Sequence, residues 1–201
     1  MEMEKFLEEL SSSAPTPGGG GVAALCAALA SSLCSMVANL TSGKKKYAEY
    51  QTDIESILKE CESLTPYLFS YIRKDAESFE PLSKAYGIPK DDPGRDEILE
   101  KALYDAAVTP LELMKKLSSV ASLLKELEVK GSRLAISDVA VGASVLKAAA
   151  ESAIMNVYIN TGLMNDKEVA NRLNSDSSKI LDDIRMQCEE IYKNISDSLR
   201  K

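Results

Sequence analysis

Residues 166–199 read DKEVANRLNSDSSKILDDIRMQCEEIYKNISDSL. Within them Val169, Leu173, Ile180, Ile184, Cys188, Ile191, Ile195 and Leu199 follow at steps of four, seven, four, four, three, four and four. Those steps return to one side of a helix with 3.6 residues per turn and leave the charged side chains on the other. The segment from about Asp166 to Leu199 is therefore a long amphipathic helix whose apolar stripe needs other helices to cover it.

The rest of the chain repeats that logic. Punctuation is sparse and widely spaced, no useful stretch alternates apolar and polar residues, and no internal repeat is present. The spacing predicts a short helix over Glu2–Ser11, a break at Ala14–Gly21, and helices over Val22–Thr41, Tyr47 to about Tyr86, Arg95–Glu128 and Val139–Leu163. Two prolines and four glycines make the break. Pro66, Pro81 and Pro110 are expected to kink or interrupt their helices. Ser137-Asp138 offers short polar side chains to cap the fifth helix. Val22–Thr41 and Val139–Leu163 are rich in Ala, Ser and Gly, which permits close helix approach and predicts a central place for both. The fold class is all-α, an up-and-down bundle of about six helices in one domain over residues 1–201.

Composition restricts the chemistry. The chain has 24 Lys plus Arg, 31 Asp plus Glu, and no histidine. Without imidazole there is no Ser-His-Asp or Cys-His nucleophile pair, no histidine-ligated zinc and no histidine general base. Proton transfer falls to Asp, Glu, Lys, Tyr, Cys or water. A net charge of −7 argues against a general nucleic-acid binder. The four cysteines have no CxxC spacing and the N-terminus is not basic, which together predict a reduced, cytoplasmic protein. No residue from Leu10 to Gly43 is charged. That stretch is built from Ala, Ser and Gly, and Ser31, Ser32, Ser35 and Asn39 would enter the lipid, so a buried helix is expected instead of a membrane span. No residue set has the spacing of a metal site.

Four constellations carry possible chemistry, each with a structural alternative. Pro15-Thr16-Pro17-Gly18-Gly19-Gly20-Gly21 is either a flexible linker or a loop whose amides approach a ligand at a helix N-terminus. Gly43-Lys44-Lys45-Lys46-Tyr47 gathers three positive charges that hold carboxylates or complement a helix C-terminus. Asp75 and Asp138 stand beside small or apolar residues; burial would raise their pKa into the range of a general acid or base, whereas a solvated helix position or an N-cap is the plain reading. Asn156 and Asn160 share one helix face and either bind an amide-rich ring or bridge helices.

Taken together and in order, Pro15-Thr16-Pro17-Gly18-Gly19-Gly20, Met36 to Thr41 with Gly43 to Tyr47, Asp75 to Phe79, Ala85 to Lys90, Ser137-Asp138, and Asn156-Val157 to Asn160 followed by Asp166 resemble the cyclodeaminase/cyclohydrolase family. That family includes the C-terminal domain of formiminotransferase-cyclodeaminase and stand-alone bacterial methenyltetrahydrofolate cyclohydrolases. The resemblance implies an all-helical homodimer or higher homo-oligomer with folate sites near subunit interfaces. It implies a folate one-carbon enzyme, first a formiminotetrahydrofolate cyclodeaminase that makes methenyltetrahydrofolate and ammonia. The alternative is a methenyltetrahydrofolate cyclohydrolase; a folate-binding or helical interaction protein without catalysis is the third reading.

No cofactor is expected beyond the tetrahydrofolate substrate. On this reading Asp75, Asp138 and Lys45 are catalytic. Pro17, Gly18, Gly19, Gly20, Lys44, Tyr47, Asn156 and Asn160 bind the substrate, the lysines taking its polyglutamate tail. Where many relatives carry asparagines before the Ser-Asp pair, this chain has Gly131-Ser132-Arg133-Leu134, which trades an amide for a guanidinium and leaves both reactions open.

Overall fold

Every long helix turns a stripe of Leu, Ile, Val and Ala inward, and the stripes share one core. The computed structural model describes residues 3–201; Met1 and Glu2, the acidic start of the first expected helix, lie outside them. Six α-helices follow in order: α1 (Met3–Leu10), α2 (Gly19–Thr41), α3 (Gln51–Tyr86), α4 (Arg95–Lys130), α5 (Ile136–Thr161) and α6 (Lys167–Leu199). Short 3-10 turns precede α3 (Lys45–Tyr50) and α5 (Arg133–Ala135). No strand occurs among the described residues.

Side-chain pairs set the register of the bundle. Ser31 and Thr65 share a hydroxyl bond of 2.7 Å between α2 and α3, and Lys130 meets Asp53 at 2.9 Å between α4 and α3. Asn160 Nδ2 donates to the Ala106 carbonyl at 3.2 Å between α5 and α4. Tyr158 and Ser178 bond at 2.7 Å between α5 and α6. Consecutive helices α2 to α6 therefore run up and down. The last is capped by a side chain: Asp166 accepts from the Val169 amide at 3.0 Å, satisfying a donor that the first turn leaves free.

Helices α2 and α5 lie antiparallel at the centre, each packed on neighbours from both sides. Ala23, Ala24, Ala27 and Ala30 of α2 and Ala143, Ala149, Ala150 and Ala153 of α5 are fully buried. Small side chains let α5 lie close to both neighbours: a Cβ on Gly142 would lie 2.8 Å from Leu124 Cδ2 on α4 and 3.7 Å from Leu33 Cβ on α2. Large side chains from the flanking helices fill the rest, among them Leu117, Leu124 and Ile184 at 0% exposure. Each contributes about 1.5–3 kcal/mol on burial. Helix α2 is long and apolar enough to cross a membrane by length and composition, with a mean hydropathy of 1.9, and more than half of that window is buried. Packing on α3 and α5 supplies a structural cause for its composition.

The bundle differs from the sequence reading in three places. Helix α2 begins at Gly19, not Val22, so three of the four glycines are helical. Pro66 and Pro81 lie within one α3 and Pro110 within one α4, so none of the three interrupts its helix. Helix α5 begins at Ile136 with no side-chain cap, which leaves Asp138 in its first turn.

Candidate active site

At the glycine segment the N-terminus of α2 meets side chains of both α3 and α5. Gly20 is buried, and a Cβ there would overlap the carboxylate of Asp75 on α3. Gly19 faces Asn156 on α5, whose amide nitrogen would lie 3.6 Å from an added Cβ. Gly20 is thus required by contact, because the carboxylate occupies the space that a side chain would take, whereas the distance at Gly19 is ordinary packing. A cavity of about 230 Å³ opens beside them. Asp75, Ser78, Phe79, Leu82 and Tyr86 line it from α3, at spacings that return to one helix face, and Asn156, Ile159 and Asn160 line it from α5.

Asp75 is half-buried, and loss of solvation raises its pKa above the ordinary carboxylate value; the Gly21 amide, which hydrogen-bonds the carboxylate, pulls the other way. A carboxyl with a raised pKa, next to a cavity and at a helix N-terminus, is suited to accept and return a proton. The two asparagines divide their work. Asn160 Nδ2 donates to the Ala106 and Asn156 carbonyls at 3.2 and 2.8 Å, so it ties α5 to α4. Asn156 Nδ2 donates to the Ser152 carbonyl of its own helix at 2.9 Å, and its amide borders the glycines.

The other predicted residues sit at the far end of the bundle. Lys44 Nζ donates to Ser132 Oγ at 3.3 Å, the Ser132 amide donates to Thr41 Oγ1 at 2.8 Å, and the Arg133 amide donates to the Tyr47 hydroxyl at 2.9 Å. That amide bond, which favours the phenolate, lowers the Tyr47 pKa. Lys44, Lys45 and Lys46 are exposed. Asp138 is half-buried in the first turn of α5, with no hydrogen bond or ion pair among the described residues. Eighteen residues of α5 separate it from Asn156, about 27 Å of helix.

Residues 2–179 match the family described as formiminotransferase-cyclodeaminase. The chain belongs to that family. It is 35% identical to a methenyltetrahydrofolate cyclohydrolase of Methylorubrum extorquens, over 98% of this chain and 97% of that one. It is 30% identical to the formimidoyltransferase-cyclodeaminase of Mus musculus over 90% of this chain but 34% of that protein, so it spans about a third of the length of that longer relative. The crystal structure of a formiminotetrahydrofolate cyclodeaminase from Thermotoga maritima superposes with a TM-score of 0.85 at 29% identity, covering 100% of this chain and 96% of that one.

Within this formiminotransferase-cyclodeaminase member, one chain brings together Asp75, Gly18, Gly19, Gly20, Asn156 and Asn160. Pro17 borders the same loop from its outer side. One chain does not bring Asp138, Lys44, Lys45 or Tyr47 to them. Sequence reasoning had not singled out Ser78, Leu82 and Tyr86 as site residues; the signal was their spacing of three, seven and eleven from Asp75, which puts all of them on its face of α3. Among the described residues no three His, Cys, Asp or Glu side chains gather closely enough to hold a metal ion.

Proposed function

We propose that the protein is a folate one-carbon enzyme, a formiminotetrahydrofolate cyclodeaminase, with Asp75 as its acid/base group. The observation that carries this is the Asp75 carboxylate seated on Gly20 in the loop cavity, partly desolvated and beside the α2 N-terminus. In the reaction, one folate nitrogen attacks the carbon of the protonated formimino group held on the other, whose nitrogen becomes an amino group, and the attacking nitrogen loses a proton. Asp75 takes that proton and returns it to the amino group of the tetrahedral intermediate, which leaves as ammonia while methenyltetrahydrofolate forms. Gly18–Gly20 face the one-carbon unit, and the α2 N-terminus favours charge developing there. The cyclohydrolase reading uses the same group on water: Asp75 takes a proton from the water that attacks the methenyl carbon and gives it to the departing nitrogen. The relative from Methylorubrum extorquens, matched over nearly its whole length, favours this second reading. Ammonia release from formiminotetrahydrofolate, measured beside methenyltetrahydrofolate hydrolysis, decides between them; failure of both sinks the folate assignment.

A homodimer completes the proposal. Leu29, Met36 and Leu40 of α2, Val141, Met155 and Ile159 of α5, and Leu163 just beyond it are 39–64% exposed, and α2 carries no charge at all. A second copy laid antiparallel over this face by a two-fold axis covers it and carries its own Lys44, Lys45, Tyr47 and Asp138 towards the glycine loop. On that arrangement Asp138 and Lys45 serve the partner's site. Mixing inactive Asp75→Asn protein with inactive Lys45→Ala protein tests it, because a hybrid dimer holds one intact site. Regained activity supports shared sites, and a mixture as inactive as its parts sinks them.

A further inference from the structure

The cavity at Asp75, at about 230 Å³, is smaller than the roughly 300–1,000 Å³ of sites that enclose a drug-sized ligand. It suits the fused rings and one-carbon unit of a tetrahydrofolate and leaves the aminobenzoyl-glutamate arm to be held elsewhere. On the outer side of the proline-glycine loop a second cleft, of about 470 Å³, opens between α1 and α3. Thr16 lines both spaces, and Pro17 lines the outer one.

The walls of this cleft have the chemistry of an aryl carboxylate site. Phe6, at 1% exposure, is a fixed floor beneath the loop; Phe69, at 40%, presents an open ring. Pro17, Pro66 and Ile72 add apolar surface, and Arg73 stands among them. Among the described residues the Arg73 guanidinium holds only Glu77, one turn on, at 3.3 Å with both side chains largely in solvent. Such a pair is weak and readily exchanged for a ligand carboxylate. Glu9, which also lines the cleft, pairs with Lys5 at 3.7 Å.

We propose that this cleft seats the aminobenzoyl-glutamate arm of the substrate, its ring against Phe69 and Pro17 and a glutamate carboxylate on Arg73. The assignment rests on the folate reading of the Asp75 cavity. It places the arm on the chain that holds the reacting carbon, and leaves the partner's lysines to the reacting centre.

The test compares a full folate substrate with a tetrahydropterin analogue that keeps both reacting nitrogens, the second as a methylaminomethyl group, and lacks the benzoyl-glutamate. In Arg73→Ala, kcat/KM for the folate falls about tenfold through KM, and the preference for folate over the analogue falls by the same factor. Arg73→Lys recovers part of it, and Phe69→Ala shows a smaller loss of the same kind. A preference unchanged in both Arg73→Ala and Phe69→Ala overturns the cleft and leaves the Asp75 reading standing. Collapse of the preference in Lys44→Ala instead moves the carboxylate to the lysine segment and also overturns it. If the wild type turns over neither substrate, the folate reading is what fails. Ligand-observed NMR with p-aminobenzoylglutamate alone then decides the cleft: saturation transfer that Arg73→Ala abolishes supports it, and transfer that is absent or equal in both proteins overturns it.

Discussion

Gly20→Ala isolates the contact on which the active-site assignment depends. In the native structure the Asp75 carboxylate occupies the space of the missing side chain, and even its farther oxygen, Oδ2, would lie 2.7 Å from the new Cβ, whereas ordinary contact begins at 3.4 Å. Backbone on one side and α3 on the other leave the carboxylate as the group that moves, by roughly 1 Å. A displacement of that size at a reacting centre lowers kcat about 10²-fold, or about 2.7 kcal/mol of transition-state stabilisation. The fold loses much less: overpacking costs about 1–3 kcal/mol, and replacing a helical glycine by alanine returns up to about 1 kcal/mol. Steady-state turnover on formimino- and methenyltetrahydrofolate, beside a thermal melt, reads both effects. A variant with wild-type kcat and an intact fold would show that the Asp75 position is not set by Gly20, and the reasoning from this contact would fail.

The remaining predictions concern charge and packing. Because burial raises the Asp75 pKa, the folded state holds its proton more tightly than the unfolded chain does. That contribution is present below the unfolded pKa and is lost as pH rises through the folded one. Asp75→Asn therefore raises Tm at about neutral pH, and the gain shrinks as pH falls towards roughly 4; a Tm lowered at neutral pH contradicts this. The same shift places the acid limb of the wild-type kcat/KM profile above the ordinary carboxylate range, and a limb at or below roughly pH 4 argues against Asp75 as the base. Asn160→Ala removes two donated bonds, one of them between α5 and α4. It costs about 1–2 kcal/mol, read as a Tm loss of a few degrees. Gly142→Val drives branched carbon into Leu124 at the close α5–α4 contact and lowers stability by about 1–3 kcal/mol in denaturant titration.

Periodicity made the helices legible and concealed how they meet. The stripe from Val169 to Leu199 forecast α6 within a residue of its bounds, because one face of a surface helix must be apolar wherever it packs. The alanines of α2 and α5 likewise announced two central helices. Gly19–Gly21 misled: glycine weakens a helix locally, yet here it is helical because the Asp75 side chain, 55 residues on, needs the room. Asp75 and Asp138 carried the same local signal, an acid beside small neighbours. Only the antiparallel register of α2, α3 and α5, which no local pattern encodes, puts the first beside the glycines and the second about 27 Å of helix away.

The most direct measurement is the turnover number of Asp75→Asn on formiminotetrahydrofolate and methenyltetrahydrofolate, with the fold verified by its melt. A carboxylate that moves the proton predicts a fall of about 10²–10⁴-fold on whichever substrate the wild type uses. A turnover number within about threefold of wild type would contradict the assignment of Asp75 as the group that moves the proton.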